Sequence, residues 1–317
     1  MKPKVVVIVG PTASGKTALS IELAKKIDGE IISSDSMQIY KDMNIGTAKV
    51  TKEEMQGIKH YLVDFIAPNK RYTVSDFKKD SQDAIEEILA KGKVPIVVGG
   101  TGLYVNSLIY GIEYQDMEFD EKYRDELMQI AETEEGLENL WKKANDIDPE
   151  SMKKISKNDK KRIIRVLEIY EATGKTKTEQ EILSRQNEVE YDFKVFGISM
   201  DREKLYERIN KRVDIMINQG LEAELKDLLE KYSEFPTAMQ GLGYKEVVQY
   251  FNGILTREEM IDKIKQESRR YAKRQLTWFR RNKEIIWLDS SEEMQKNINT
   301  ILERLEWKRY IKRKLME

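Results

Sequence analysis

The apolar run Val5 to Val9 leads straight into Gly10-Pro11-Thr12-Ala13-Ser14-Gly15-Lys16-Thr17, and that segment leads into a helix-forming stretch, Lys16 to Ile27. No other feature constrains the fold so tightly. An apolar run this short reads as a strand buried on both faces of a parallel sheet. A GxxxxGKT segment between such a strand and a helix is a phosphate loop in the context its mechanism requires. The glycines let successive backbone N–H groups converge on phosphate oxygens, the helix start adds partial positive charge, and Lys16 brings a point charge. Thr17 supplies a hydroxyl that can ligate Mg²⁺. Gly10, Thr12, Ala13, Ser14, Gly15, Lys16 and Thr17 are therefore the candidate phosphate- or diphosphate-binding residues. At ordinary glycine abundance, a chance match in a chain of this length is on the order of one per cent.

The alternation continues. Strands are expected at Glu30 to Ser33, near Tyr61 to Phe65 and at Val94 to Val98, with an amphipathic helix from Ser75 to Lys91. This order predicts an α/β fold: a P-loop NTPase-like parallel sheet covered by helices on both faces. From Glu113 to Glu150 the chain carries 14 acidic residues against 4 basic with helical spacing, and Ser151 to Lys177 then carries 9 basic against 3 acidic. An all-helical domain inserted over 113–192 follows, between a first part of the sheet domain at 1–112 and its completion, with C-terminal helices, at 193–317. In that last part Phe193 to Met200 and Ile285 to Leu288 read as strands. A helix is expected from Ser291, and Lys308 to Lys314 forms a basic tail.

Composition removes whole classes of chemistry. Among 317 residues there is no cysteine and a single histidine, His60, so disulfides, thiolate metal sites, cysteine nucleophiles and imidazole triads are excluded. A general base is then a carboxylate. No apolar run approaches the roughly 20 residues that span a bilayer, which leads to the expectation of a cytoplasmic protein with no membrane partner. Neither coiled-coil heptads nor an apolar interface stripe appears, which favours a monomer.

The phosphate loop alone fits a kinase, a nucleotidase or a GTPase equally. Ser33-Ser34-Asp35-Ser36-Met37-Gln38-Ile39-Tyr40 narrows the choice, because Asp35 follows the second strand at the sheet edge where ligands gather. A carboxylate there can accept a proton or hold a magnesium-bound water; the plainer alternative is a helix N-cap aspartate. Val98-Gly99-Gly100-Thr101-Gly102-Leu103-Tyr104 closes another strand at the same edge. Thr101 can offer a hydroxyl to a phosphate oxygen there, although glycines in such a turn also serve close packing. Arg208 and Arg212 lie four apart on one helical face, able to fork onto phosphate or to remain solvated. Two basic stretches remain. One is Asp159 to Tyr170, with Ile163, Ile164 and Leu167 inward. The other is Lys263 to Lys283, with 9 basic residues, one acid and the aromatics Tyr271, Trp278 and Phe279 interleaved. Alongside a phosphate loop they suggest a polyanionic partner, the alternative being solvated faces.

Together these segments resemble the bacterial tRNA dimethylallyltransferase family, also called tRNA isopentenyltransferases. The landmarks run in order through Asp35-Ser36-Met37-Gln38-Ile39-Tyr40, Asn44-Ile45-Gly46-Thr47-Ala48-Lys49, His60-Tyr61-Leu62-Val63-Asp64 and Gly99 to Tyr104. Asn158-Asp159 with Arg162 and Arg165 comes next, then Gly241-Leu242-Gly243-Tyr244, then Ala272-Lys273-Arg274-Gln275 with Thr277-Trp278. The resemblance implies that the loop binds dimethylallyl diphosphate rather than a nucleoside triphosphate. It also implies that a tRNA anticodon stem-loop is gripped between sheet domain and insert, with the adenosine 3′ of the anticodon extruded for modification at N6. By the same resemblance Asp35 is the base, while Lys16, Thr101, Arg212 (or Arg208) and a Thr17-bound Mg²⁺ stabilise the leaving diphosphate. tRNA contacts map onto Asp35, Ser36, Met37, Gln38 and Thr101, onto Lys161, Arg162, Ile163, Ile164 and Arg165, and onto Arg124, Gly241, Gly243 and Lys245. The segment that holds those glycines, Met239 to Lys245, reads equally well as a turn between helices. Eukaryotic relatives carry a C-terminal zinc finger that a cysteine-free chain cannot form, so the bacterial form fits. The rival readings are a P-loop kinase using ATP, a transferase prenylating free adenine nucleotides, and a non-catalytic RNA-binding ATPase.

Overall fold

The computed structural model describes residues 2–112, 120–184 and 188–306. The first residues of the acidic stretch beginning at Glu113, and the Lys308 to Lys314 tail, lie outside them. The chain divides into two compact units, one spanning Met1–Ile109 with Val189–Glu317, the other Tyr110–Glu188.

In the first unit the chain runs β1 Lys4–Val9, α1 Lys16–Ile27, β2 Gly29–Ser33, α2 Lys52–Met55, β3 His60–Tyr61, α3 Val74–Ala90, β4 Val94–Gly99 and α4 Gly102–Ile109. The second unit holds α5 Glu121–Ile130, α6 Glu134–Ile147, α7 Pro149–Met152, α8 Lys160–Thr173 and α9 Lys177–Leu183. The chain then returns to the first unit with β5 Asp192–Ser199, α10 Arg202–Gln219, α11 Leu221–Lys231, α12 Tyr244–Phe251, α13 Arg257–Phe279, β6 Ile286–Asp289 and α14 Met294–Arg304.

Among the described residues the six strands form one sheet in the order β3-β2-β4-β1-β5-β6, every pairing parallel. Successive side chains of a strand point to opposite faces, so a strand covered on both sides must be apolar throughout. β1 satisfies this: Val5, Val7 and Val9 enter a core with Phe77, Ile85, Val105, Val213 and Tyr244, while Val6 and Ile8 face Leu19, Leu23, Ile298 and Ile301. Because β1 sits between β4 and β5, with Val9 level with Gly99 and Gly197, the loops leaving these strands emerge side by side.

The third strand departs from expectation. Extended pairing stops after Tyr61, since Leu62 and Asp64 take left-handed φ of 57° and 58°. The amides of Asp64, Phe65 and Ile66 donate instead to the Gln38 and Ile39 carbonyls at 3.0 Å. Residues 62–66 thereby brace the turn after β2 rather than extending the sheet. The apolar character that suggested a strand serves packing, with Leu62, Phe65 and Ile66 against the core.

The second unit has its own core, in which Leu127 and Ala131 of α5 and Leu140 and Ala144 of α6 meet Ile163, Ile164, Val166 and Leu167 of α8. Buried Asp148 ties it locally. Its carboxylate caps α7 through the Ser151 amide at 3.0 Å and accepts the Thr178 amide and hydroxyl at 2.8 and 2.7 Å.

Candidate active site

The phosphate loop leaves β1 and turns into α1 through Ala13 at φ 62° and Gly15 at φ 94°. Left-handed residues so spaced turn consecutive N–H groups toward a common point, the arrangement that captures anions at a helix start. Nothing lies within 4 Å of a Cβ built on Gly15, so its conformation, not space, demands glycine there. Ser14 places a buried hydroxyl in the loop with no hydrogen-bond partner among the described residues. Lys16 donates from Nζ to the Pro11 carbonyl at 2.6 Å. Although the residue as a whole is only half-buried, its amine is enclosed. Loss of hydration, then the charge of Arg212, brings its pKa down to about 7 against the opposing pull of Asp35. Thr17 is exposed on the first turn of α1.

Asp35 follows β2 at the same edge. Its Oδ1 accepts the Met37 and Gln38 amides at 2.9 and 3.3 Å, so it caps the turn over 36–39, while Oδ2 has no hydrogen bond among the described residues. The cap and base readings therefore use different oxygens of one carboxylate. Thr101 stands against it. The Thr101 amide donates to the Ser34 carbonyl at 3.2 Å, and the Thr101 hydroxyl accepts the Ser36 amide at 3.1 Å. These bonds exist because β2 and β4 pair with Ser33 level with Val98, which brings the two loops together.

Arg212 of α10 donates from NH1 to the Thr12 hydroxyl at 3.2 Å, and burial holds its pKa below the usual arginine range against the pull of Glu54 and Asp35. Arg208, one turn earlier, is exposed. Thus Asp35, Thr101, Lys16, Arg212 and the phosphate loop are gathered at one edge, and an anion there meets an enclosed amine, a guanidinium, a hydroxyl and loop amides.

Helix α13 supplies what pattern reading left without a chemical role. Gln275, 6% exposed, accepts the Thr12 amide on Oε1 at 2.9 Å and donates from Nε2 to the Gly100 carbonyl at 3.0 Å, pinning the phosphate loop to the Thr101 loop. A Cβ on Gly100 would lie 2.1 Å from that Nε2, and one on Gly102 2.2 Å from Cδ1 of Trp278. The glycines around Thr101 therefore serve close packing while the threonine keeps its hydroxyl at the site. Tyr271 forms part of the same wall, where burial and the nearby Asp35 charge push its hydroxyl up to about 12. Much of the basic run on this helix is engaged within the unit. Lys265 pairs with Asp214 at 2.6 Å, Arg269 donates to Asn210 at 2.6 Å and Arg270 pairs with Glu267 at 2.6 Å. Lys273, Arg274 and Arg280 remain exposed.

The Asn44 to Gly46 loop is anchored by Glu224 of α11, whose carboxylate accepts the three successive amides at 2.8, 2.7 and 3.0 Å and the Tyr244 hydroxyl at 2.6 Å. Gly46 is required by close approach, since a Cβ there would lie 2.5 Å from the Tyr244 ring. Gly241 and Gly243 are both buried; Gly243, at φ 95°, starts α12, and Gly241 packs beside Met37. Their geometry is that of the turn between helices, and Lys245 is the exposed member of the segment. Met37 and Gln38 are half-buried, and Gln38 donates to the Ala48 carbonyl at 3.2 Å.

In the second unit α8 exposes Lys161 and Arg162, half-exposes Arg165 and turns Ile163 and Ile164 into the core, so the isoleucine side chains are not offered to a partner. Arg124 of α5 binds both oxygens of Glu168 on α8. Among the described residues no group of three or more His, Cys, Asp or Glu side chains could hold a metal ion, and no helix is long and apolar enough to cross a membrane.

A model of the IPP transferase family matches residues 38–282. The chain is 50% identical over 304 residues to the tRNA dimethylallyltransferase of Acetivibrio thermocellus, covering 94% of this chain and 97% of that protein. It is 49% identical over 291 residues to that of Bacillus cytotoxicus, covering 92% of each. The crystal structure of the full-length tRNA isopentenylpyrophosphate transferase from Bacillus halodurans superposes with a TM-score of 0.73 at 42% identity, covering 99% of both chains. A eukaryotic dimethylallyltransferase described as acting on tRNA superposes with a TM-score of 0.74 at 32% identity, over 91% of this chain and 74% of that one.

Proposed function

Because the chain belongs to the IPP transferase family, we propose that it transfers a dimethylallyl group from dimethylallyl diphosphate to N6 of the adenosine 3′ of the anticodon in tRNA, releasing diphosphate. The observation that carries this is the gathering of Asp35 and Thr101 beside the phosphate loop, with Lys16 and Arg212 at the same edge.

The diphosphate lies against the loop amides of Gly15 to Thr17, since the Ser14 amide already donates to the Pro11 carbonyl and the Ser14 hydroxyl is buried. The Thr12 amide and hydroxyl are already engaged by Gln275 and Arg212, so Thr12 positions the loop. The adenine amine attacks C1 of the prenyl chain; the N6–C1 bond forms as the C1–oxygen bond to diphosphate breaks. The proton goes to Oδ2 of Asp35, whose other oxygen is held by the turn amides. Lys16, Arg212 and the Thr101 hydroxyl meet charge that grows on the leaving group, where such contacts lower a barrier most. Thr17, exposed on the first turn of α1, would hold Mg²⁺ only when phosphate oxygens and water complete its oxygen shell. When bound, the ion neutralises charge on the diphosphate. The exposed Lys161 and Arg162 and the half-exposed Arg165 and Arg124 on the second unit, with the exposed Lys273, Arg274 and Arg280 on the first, suit an RNA backbone. The enzyme is a cytoplasmic monomer on this account.

The test is incubation with Mg²⁺, dimethylallyl diphosphate and unmodified tRNA, followed by nuclease digestion and mass spectrometry. Prenylated adenosine forms with the native chain; Asp35→Ala retains tRNA binding and loses turnover. ATP consumption on a small acceptor without prenylated adenosine would establish a kinase instead, and substantial turnover by Asp35→Ala would remove Asp35 from the base role.

A further inference from the structure

Glu168 is out of place in the second unit. It lies on α8 among the buried residues Val166, Leu167 and Ile169, and its own side chain is 3% exposed. A carboxylate so enclosed is costly unless paired. Two arginines from different helices converge on it. Arg124 of α5, 44 residues away in sequence, uses Nε and NH2 on the two oxygens, the NH2 bond being 3.1 Å. Arg165, on the preceding turn of α8, places NH1 3.6 Å from Oε2. A two-pronged bond fixes the plane of a guanidinium as well as its position. Both arginine side chains nevertheless remain open to solvent, 37% and 40% exposed. Unscreened, the two cations repel, and the buried carboxylate between them is what allows them to stand together.

We propose that Glu168 is a positioning residue for RNA binding, holding Arg124 and Arg165 side by side as a preformed clamp for phosphodiester oxygens. The inference rests on tRNA being the acceptor substrate. It separates from a general charge effect by sign. Removing a carboxylate from a surface that binds a polyanion raises local positive charge, which by itself tightens binding. Loss of a positioning group weakens it, because the arginines must then be ordered when the RNA arrives.

The experiment measures binding of unmodified tRNA to the full-length chain at one fixed salt concentration, with steady-state kinetics for both substrates and a thermal melt of each variant. Glu168→Gln keeps the shape and loses the charge; Arg124→Lys keeps the charge and loses the fork. Each should weaken tRNA binding about tenfold, the size of one charge-assisted hydrogen bond. In Glu168→Gln the KM for dimethylallyl diphosphate and kcat should stay at the native values. In an Arg124→Ala background, Glu168→Gln should cost less than it does alone, because the part of its effect that passes through that arginine is already gone. Native or tighter tRNA binding by Glu168→Gln, or an equal loss in the Arg124→Ala background, overturns the proposal. Should Glu168→Gln fail to melt cooperatively, native affinity in Arg124→Lys overturns it alone. Failure of the native chain to prenylate or bind tRNA defeats the tRNA reading itself, a result separate from neutral variants on an active enzyme.

Discussion

Replacing Lys16 by methionine should remove the activity and stabilise the unliganded protein. The amine is enclosed beside Arg212 and its pKa is brought down to about 7, against an ordinary value of 10.5. Holding the charged amine in that enclosure opposes folding by roughly 5 kcal/mol when it is fully protonated. Methionine fills a similar volume and gives up the bond to the Pro11 carbonyl, which returns about 1 kcal/mol. A net gain of roughly 3–4 kcal/mol at or below neutral pH remains. The sign follows from proton counting: between pH 7 and 10.5 the unfolded chain holds a proton on Lys16 that the folded chain has released. Native stability therefore rises with pH across that window and falls as pH drops through the folded pKa, whereas the variant lacks this slope. Urea unfolding at pH 6, 7.5 and 9 should show Lys16→Met ahead of the native protein, with the lead shrinking as pH rises. Diphosphate should stabilise only the native chain, since anion binding supplies the missing counter-charge. A variant less stable than native at pH 6, or a lead independent of pH, would refute the enclosed-charge account.

Gln275→Leu leaves the Thr12 amide and the Gly100 carbonyl unpaired, costing about 1–3 kcal/mol for each, as read by urea unfolding. Gln275→Glu sets an oxygen against the Gly100 carbonyl and must stay protonated, so its folded pKa is raised and its stability is lost as pH rises through that pKa; an unfolding midpoint flat from pH 4 to 8 contradicts this. Glu224→Ala removes the acceptor for the amides of Asn44, Ile45 and Gly46 and for the Tyr244 hydroxyl; a loss of roughly 2–4 kcal/mol is expected, with faster hydrogen exchange at those amides, and unchanged exchange would count against the anchor. Gly102→Ala places a Cβ 2.2 Å from the Trp278 ring, and should destabilise by about 1–3 kcal/mol and lower kcat by displacing Thr101. Combining it with Trp278→Leu should restore part of both, and no recovery would point to another cause.

Much of the sheet domain is legible in sequence because its signals are local. Five valine and isoleucine residues ahead of a glycine loop specify a buried strand and a phosphate-binding turn without reference to any distant residue. The conformational demand at Gly15 is likewise set by its own φ. Asp35 and Thr101 were recognisable because each follows a strand, and strand ends in a parallel sheet share an edge. Inward and outward positions on α8 followed from its period, which put Ile163 and Ile164 inside. Residues 62–66 misled because a short apolar run has the same composition whether it pairs in a sheet or braces a turn.

What sequence could not disclose are the pairings made across long separations. Gln275 meets Thr12 across 263 positions, and Glu224 meets Asn44 across 180. Nothing periodic marks a single glutamine in a basic helix as the pin between two loops, or Glu168 as the buried partner of Arg124. The sequence by itself determined the strand–loop–helix unit, the placement of Asp35 and Thr101 at the sheet edge and the family likeness, since these depend on backbone conformation and hydrophobic period within a few residues. Tertiary structure alone decided which oxygen of Asp35 is free, which arginine reaches the loop and how the glycine turns are braced, because those depend on packed helices bringing distant side chains within hydrogen-bonding distance.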